Sequence, residues 1–406
     1  MKSKKKVCIM GMGYIGLPIA VLLANREYQV HGVDINQKTI DIINRGDTHI
    51  VEPELNEFVY SAIKHGNFRA NIKPAEANIF IIAVPTPFHK DKLNKLTNTP
   101  IPNINYIVEA TKQIASYVKS GNLILLESTS PVGTTDMMVE ILSKEGVDTS
   151  GIYIAYSPER VLPGQIMKEL IENDRVVGGV NSISTKKAAE FYRTFVVGEV
   201  AETTAKIAEM TKLTENSFRD VNIAFANELS ILCDDMEIDV KELISLANKH
   251  PRVNILNPGC GVGGHCISVD PWFVVNSSNG KAQLIEQARQ INDFKPDWVL
   301  EKIKNALLQF EIKHKKKPTV TCMGLSFKPN VGDLRESPAL YIAKKLNEVM
   351  NIASVEPNIK EYIGLDLVDI KTGLESDICI YLVNHKEFST KNMKEADLDF
   401  CGINNN

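Results

Sequence analysis

The sequence predicts an α/β protein of two doubly wound parallel-sheet domains joined by a long central helix. Short apolar runs alternate with segments of helical spacing over the first 200 residues, and residues 201 to 250 contain no glycine or proline. Near residue 318 a second strand-and-helix alternation begins. A chain of 406 residues is long enough for two or three domains with their own cores.

Val7 to Met10 reads as a short buried strand, Gly11 to Gly16 as a tight turn and Leu17 to Asn25 as the first helix. The basic start, Lys2 and Lys4 to Lys6, followed by an apolar run imitates a secretory signal, but Gly11, Gly13, Gly16 and Pro18 interrupt it. Gln29 to Val33 is the next strand, ending at Asp34. Apolar runs at Ile79 to Val84, Leu123 to Leu126, Ile152 to Ala155 and Val176 to Val177 read as further strands, separated by helical segments such as Ile104 to Tyr117 and Thr134 to Lys144. Strands apolar on both faces indicate a parallel sheet covered by helices on each side. From Ala201 onward the pattern is one long helix, then a shorter helix capped by Asp239. Basic, polar residues from Phe310 to Lys317 suggest a linker. Beyond it Pro318 to Met323, Ile352 to Val355 and Ile378 to Val383 read as strands, Ser337 to Val349 as a helix, and Cys401 to Asn406 as a frayed end. The expected domains are residues 1–200, 201–312 and 313–406.

Composition narrows the function. Apolar content of 44%, net charge of −4 and pI near 6.1 give no reason to expect nucleic acid or a membrane surface as partner. The seven cysteines are odd in number, scattered and without metal-ligand spacing, which suits a reducing cytoplasm and predicts no metal site.

Gly11-Met12-Gly13-Tyr14-Ile15-Gly16 follows a strand and opens a helix, and Asp34 closes the second strand where a carboxylate binds ribose hydroxyls. This is a Rossmann-like dinucleotide site, and Asp34 would repel a 2′-phosphate, so NAD is expected over NADP. Lys38 softens that preference slightly.

Cys266 lies in Pro258-Gly259-Cys260-Gly261-Val262-Gly263-Gly264-His265-Cys266, followed by Ile267-Ser268-Val269-Asp270-Pro271-Trp272. The loop places a thiol among four glycines and beside a carboxylate, so Cys266 is a candidate nucleophile; the alternative is a buried structural cysteine in a turn. Lys212 and Asn216 stand four apart on the long helix and share a face, able to hold an oxyanion or a water, or simply to face solvent. Ser128 to Thr135 and Ser157 to Gly164 are loops at the carboxyl ends of strands, where open α/β sheets bind ligands; Thr134 or Thr135 could equally cap a helix. Gly324 to Pro338 carries Lys328 and Arg335, able to neutralise phosphates.

Taken in order, Gly-x-Gly-x-x-Gly, the hydroxyl loop, Ser-Pro-Glu, Lys-x-x-x-Asn, Gly-Gly-x-Cys and Phe-Lys-Pro resemble the UDP-glucose/GDP-mannose dehydrogenase family from Lys6 to about Phe388. The resemblance implies oxidation of the primary alcohol of a nucleotide sugar to a carboxylate by two NAD molecules. It makes Cys266 the nucleophile that forms a thiohemiacetal and then a thioester. It assigns Lys212 and Asn216 to oxyanions or water, Asp270 to water, and Glu159 with Thr129 to the proton network. Gly11, Gly13, Tyr14, Ile15, Gly16, Asp34, Lys38, Thr86, Thr129 and Arg335 would then serve the cofactor. Glu159, Arg160, Lys212, Asn216, Gly263, His265 and Lys328 would serve the sugar nucleotide, with Arg252 reaching across a homodimer. Within the family, Gly-His-Cys-Ile, Asp-Pro-Trp-Phe and Ser-Pro-Glu-Arg-Val-Leu-Pro-Gly look most like members acting on UDP-N-acetylmannosamine. His265 and Val269 stand where UDP-glucose members carry serine and lysine, and Cys260 departs from a common proline. The expected substrate is UDP-N-acetylmannosamine, with UDP-N-acetylglucosamine as the nearest rival. Two other readings compete: a two-electron 3-hydroxyacid-type dehydrogenase, which needs neither Cys266 nor a second nucleotide domain, and a silent nucleotide-binding regulator, which would have lost the thiol or the Lys/Asn pair.

Overall fold

The computed structural model describes residues 4–94, 99–264, 266–388 and 394–403. They form two compact units, Met1–Thr214 and Glu215–Asn406. The first opens with β1 (Lys6–Met10), α1 (Gly16–Ala24), β2 (Gln29–Val33), α2 (Gln37–Asn44), α3 (Leu55–Lys64) and β3 (Phe68–Asn71). It continues with β4 (Ile79–Ile82), the hairpin strands β5 (Phe88–Leu93) and β6 (Pro100–Pro102), α4 (Asn105–Ala115), β7 (Leu123–Leu126) and α5 (Thr134–Lys144). Last come β8 (Tyr153–Tyr156), α6 (Ile166–Glu172), β9 (Arg175–Gly179), α7 (Ser182–Tyr192), β10 (Val200–Thr204) and the start of α8 (Ala205–Asp235).

The eight strands of the main sheet run in the order β10-β9-β8-β7-β4-β1-β2-β3. Side chains alternate across it as a pleat requires: Val7 and Ile9 enter one core with Leu17, Val59, Ile166 and Phe191, while Cys8 and Met10 enter another with Ile107 and Met138. Each such buried aliphatic side chain contributes about 2 kcal/mol. The chain order reverses between β1 and β4, which opens a crevice at the carboxyl ends of those strands. One pairing departs from the expected parallel sheet: β9 runs antiparallel to β8, with Ala155 opposite Gly179 and Tyr156 opposite Gly178.

The second unit contains the rest of α8, α9 (Val240–Ala247), α10 (Asp270–Ser277), α11 (Gln283–His314), β11 (Val320–Met323) and α12 (Pro338–Asn347). It ends with β12 (Ala353–Val355), β13 (Asp366–Leu367), α13 (Ile370–Gly373), β14 (Ile378–Tyr381) and β15 (Leu398–Asp399). Its sheet, β13-β12-β11-β14-β15, is parallel at every described pairing and repeats the doubly wound order.

The long helix is present, but it starts at Ala205, because Ala201 to Thr204 pair with β9 as an edge strand. It ends where Glu237 turns left-handed and the Ile238 N–H donates to Cys233 O, and Asp239 then caps α9 by accepting from the amides of Lys241 and Glu242. The expected linker over Phe310 to Lys317 is corrected in its first half: α11 continues to His314, whose ring stacks on Phe310, and the chain leaves the helix at Lys315 to reach β11 over residues 315 to 319. Of the end expected to fray, Cys401 to Ile403 are ordered, since their three amides donate to Asp399 Oδ1 and Ile403 is buried, and residues 404–406 lie outside the described residues. Among the described residues no helix is long and apolar enough to cross a membrane.

Candidate active site

The first turn fits a dinucleotide. A Cβ at Gly11 would lie 2.5 Å from Ala83 O, and one at Gly16 only 1.8 Å from Gly11 O, so packing within the protein demands both glycines. Gly13 differs: it is exposed and a Cβ there would meet nothing within 4 Å, so the space above its backbone is open. Asp34 Oδ2 accepts from the Met12 amide at 3.0 Å and Oδ1 from Asn36, so the carboxylate is fixed at the mouth of the turn beside half-buried Tyr14 and Ile15. Lys38 is exposed one turn further on, and Thr86 is half-buried after β4, on the other side of the crevice.

Thr129 is half-buried in the loop between β7 and α5. Neither Thr134 nor Thr135 caps α5. Instead Glu209 of α8, fully buried, accepts from the amides of Gly133 and Thr135 and from the Thr135 hydroxyl. Glu159, after β8, is buried; its Oε1 accepts from the Arg160 amide and its Oε2 takes a 2.9 Å ion pair from Arg175. Arg160 itself donates to Asp174 O. Glu52 holds the same loop by accepting from the amides of Gly164 and Ile166.

In the second unit, Cys266 is exposed, whereas Cys8, Cys233, Cys260, Cys322 and Cys379 are buried and Cys401 is half-buried. Burial pushes the thiols of Cys260, Cys322 and Cys379 up to about 12 and that of Cys8 to about 11, which leaves them inert. The reading of Cys266 as a buried structural thiol is therefore excluded. The carbonyl of Cys266 accepts from the amides of Val269 and Asp270, a turn that leads directly into α10 and sets the thiol one turn before its first residue. That residue, Asp270, is buried and accepts a 2.5 Å hydrogen bond from Asn216 Nδ2. Lys212 lies half-buried one turn earlier on α8.

The thiol loop is docked on the loop after β11. The Gly264 amide donates to Arg335 O, and a Cβ at Gly263 would lie 2.6 Å from Glu336 O and 2.7 Å from Phe327 Cβ. Behind it, Asn227 of α8 accepts from the Gly259 amide and donates to Asn292, which donates to Asp220, itself paired with Arg289. Lys328 is half-buried with its ammonium 5.7 Å from the Phe327 ring centre, and Arg335 forks onto Asp333. Arg252 is exposed after α9. His265 lies outside the described residues.

Several residues escaped the sequence reading. Glu356 ends β12 as Asp34 ends β2, and it accepts from the amides of Leu325 and Ser326 and pairs with buried His385. An acid directly after an apolar strand was the signal that could have found it. Arg175, Glu127, Tyr192 and Glu209 carry no such local signal, since their partners are distant in sequence.

A dinucleotide turn at one switch point, together with an exposed cysteine one turn ahead of a buried carboxylate–carboxamide pair, is the equipment of a nucleotide-dependent oxidoreductase. Models of the NAD binding, central and UDP binding domains of the UDP-glucose/GDP-mannose dehydrogenase family match residues 5–196, 206–294 and 321–400. A UDP-N-acetyl-D-mannosamine dehydrogenase from Campylobacter jejuni is 51% identical over 407 residues, covering 96% of this chain and 97% of that one. An NDP-N-acetyl-D-galactosaminuronic acid dehydrogenase from Ralstonia nicotianae is 47% identical, covering 95% and 92%. The solved UDP-N-acetyl-mannosamine dehydrogenase from Staphylococcus aureus superposes with a TM-score of 0.84 at 38% identity, covering 95% of this chain and 90% of that one. The chain belongs to the UDP-glucose/GDP-mannose dehydrogenase family and is an NAD-dependent nucleotide-sugar dehydrogenase.

Proposed function

We propose that this chain oxidises C6 of UDP-N-acetyl-D-mannosamine from alcohol to carboxylate, giving UDP-N-acetyl-D-mannosaminuronate. The observation that carries the reading is the exposed Cys266, one turn ahead of Asp270, with Asn216 bonded to that carboxylate. NAD, when bound, supplies a hydride acceptor for each of the two oxidations. Cys266 as thiolate adds to the C6 aldehyde, and the resulting thiohemiacetal keeps the half-oxidised sugar on the protein while cofactor exchanges. Oxidation of that adduct gives a thioester, and water then displaces the sulfur to leave the carboxylate.

The remaining residues take roles that fit their positions. Lys212 and Asn216 stabilise oxyanions, Asp270 orients water through its bond to Asn216, and Glu159 with Thr129 accepts or relays protons. Gly11, Gly13, Tyr14, Ile15, Gly16, Asp34, Lys38, Thr86 and Arg335 serve NAD; Arg160, Arg252, Gly263, His265 and Lys328 serve the sugar nucleotide. We assign the cofactor to residues 1–200, the thiol loop and dimerisation to 201–312 and the UDP moiety to 313–406, in a cytoplasmic protein.

The partner we assign is a second copy of the chain. On α8, Ile207, Phe218, Phe225 and Leu232 are 55%, 69%, 53% and 45% exposed. At about 100° per residue they fall within about 20° of one line along the helix, an apolar stripe that suits association with another such helix.

NADH production with UDP-N-acetylmannosamine, UDP-N-acetylglucosamine, UDP-N-acetylgalactosamine and UDP-glucose tests the substrate assignment. The galactosamine sugar is included because of the Ralstonia relative. The account expects the highest kcat/KM with the first. A higher value for any other sugar overturns the substrate, and one NADH per sugar in place of two overturns the four-electron reaction.

A further inference from the structure

Arg175 is 3% exposed and stands between two buried carboxylates. Its Nη2 lies 2.9 Å from Glu159 Oε2 and its Nη1 4.0 Å from Glu127 Oε1. The Tyr192 hydroxyl donates to the same Glu127 oxygen at 2.7 Å, and the Tyr192 ring lies 4.9 Å from the guanidinium carbon. The sheet topology explains how they meet. In a wholly parallel sheet the first residue of a strand lies at the edge away from the ligand crevice. Because β9 runs antiparallel to β8, its first residue, Arg175, arrives at the carboxyl end instead. Continuing the register of Tyr156 with Gly178 by three residues sets Glu159 opposite Arg175. Glu127, immediately after β7 and two residues before Thr129, closes the cluster from the next strand over.

We propose that Arg175 is a positioning residue for Glu159, and that Glu127, held by Tyr192, governs how much of the guanidinium charge Glu159 receives. This rests on the role given to Glu159 above. Burial disfavours charge on Arg175, but Glu159 and Glu127 outweigh it and keep the guanidinium ionised. Burial pushes Glu127 up, with Arg175 only partly offsetting it and Glu159 adding to it, to about 7. Glu127 is faced by Arg175 from β9, by Tyr192 from α7 and by Glu159 from the loop after β8. Its Oε2 is buried and receives no hydrogen bond among the described residues. Around neutral pH this carboxyl gains or loses its proton, and Arg175 is shared with Glu159 or devoted to it accordingly. Fixed orientation is what a carboxylate that accepts or relays protons needs, since small misplacements cost large factors in rate.

The test is kcat, KM and the pH profile of NADH formation from UDP-N-acetylmannosamine for R175K, E159Q, R175K/E159Q, E127Q and Y192F, with circular dichroism and NAD fluorescence titration on each. R175K should lower kcat by about 10- to 100-fold, the cost of a displaced catalytic group, with KM values and NAD affinity within a few-fold of wild type. In the E159Q background the same change should cost less than about 3-fold, because two residues acting through one function are not additive. E127Q, which leaves the guanidinium charge undivided on Glu159, should move the acidic limb of kcat to lower pH, and Y192F should alter that limb too. Fully multiplicative losses in the double variant, or an E127Q profile superimposable on wild type, overturn the proposal. Should R175K fail to fold, the E127Q and Y192F profiles decide. If E159Q turns over at the wild-type rate, both the role of Glu159 and this proposal fall; a slow E159Q with multiplicative losses removes this proposal alone.

Discussion

Substituting alanine for Gly263 tests whether the docking of the thiol loop controls its chemistry. The added Cβ would lie 2.6 Å from Glu336 O, 2.7 Å from Phe327 Cβ and 2.9 Å from Pro338 Cδ, and two of these three atoms belong to rigid backbone or ring. Carbon contacts settle near 3.5 Å, so the loop must retreat by roughly 0.8 Å from the segment that follows β11. Cys266 is three residues away and moves with it. A displacement approaching 1 Å at a reacting group lowers rate by about 10²-fold, so kcat for uronate formation should fall by about 10- to 100-fold, while overpacking costs about 1–3 kcal/mol of stability. Gly259 supplies the control, since a Cβ there meets nothing within 4 Å. Steady-state NADH production reads kcat, and a fluorescence titration reads NAD affinity, which should change by no more than a few-fold, because the turn at residues 11 to 16 is untouched and Arg335 is the single cofactor residue beside the displaced segment. Wild-type turnover by G263A, or equal damage in G259A, would refute the reasoning.

Other consequences are as direct. Cys266→Ala should abolish uronate formation and leave NAD affinity within about 2-fold, because an exposed thiol contributes little to packing; uronate at wild-type yield would end the covalent role. Phe218→Lys, which sets a charge in the exposed α8 stripe, should convert the proposed dimer to monomer in sedimentation velocity, and an unchanged sedimentation coefficient would exclude that face. Burial alone would raise the Glu356 carboxyl, but hydrogen bonds from His385 and the Leu325 amide outweigh it and hold it at about 2. A carboxyl depressed on folding stabilises above its unfolded value near 4.5 and loses that contribution as pH falls toward 2, here on the order of 3 kcal/mol. Urea unfolding should therefore show Glu356→Gln well below wild type at pH 6, with the gap closing by pH 2.5; a constant gap contradicts the ionic role of Glu356.

Local chemistry made much of the fold legible. Asp34, the three glycines and the glycine-free run before α8 each act over a few residues, so their consequences can be read from neighbouring letters. Asp239 was a cap in sequence and is one in the structure. Failures came where long-range pairing decided the outcome. Ala201 to Thr204 have helical company on one side, yet β9 recruits them as a strand. Composition around Lys313 looked like a linker, but α11 carries its polar end out into solvent while its earlier turns hold the core through Val299 and Ile303. At the candidate site, Cys266, Asn216 and Asp270 were visible because motif and order carried them. The supports were not: Glu209 caps a helix 74 residues away, and Arg175 meets Glu159 only because one strand reverses direction.

The central claim is that one sulfur holds a half-oxidised sugar between two hydride transfers. Mass spectrometry of the Cys266 peptide from E159Q, quenched during turnover of UDP-N-acetylmannosamine, tests it most directly when NADH is counted in the same sample. The account predicts a sugar-nucleotide acyl adduct on Cys266 and two NADH per adduct. Two NADH with no mass added to that peptide, or the adduct on another residue, would contradict it.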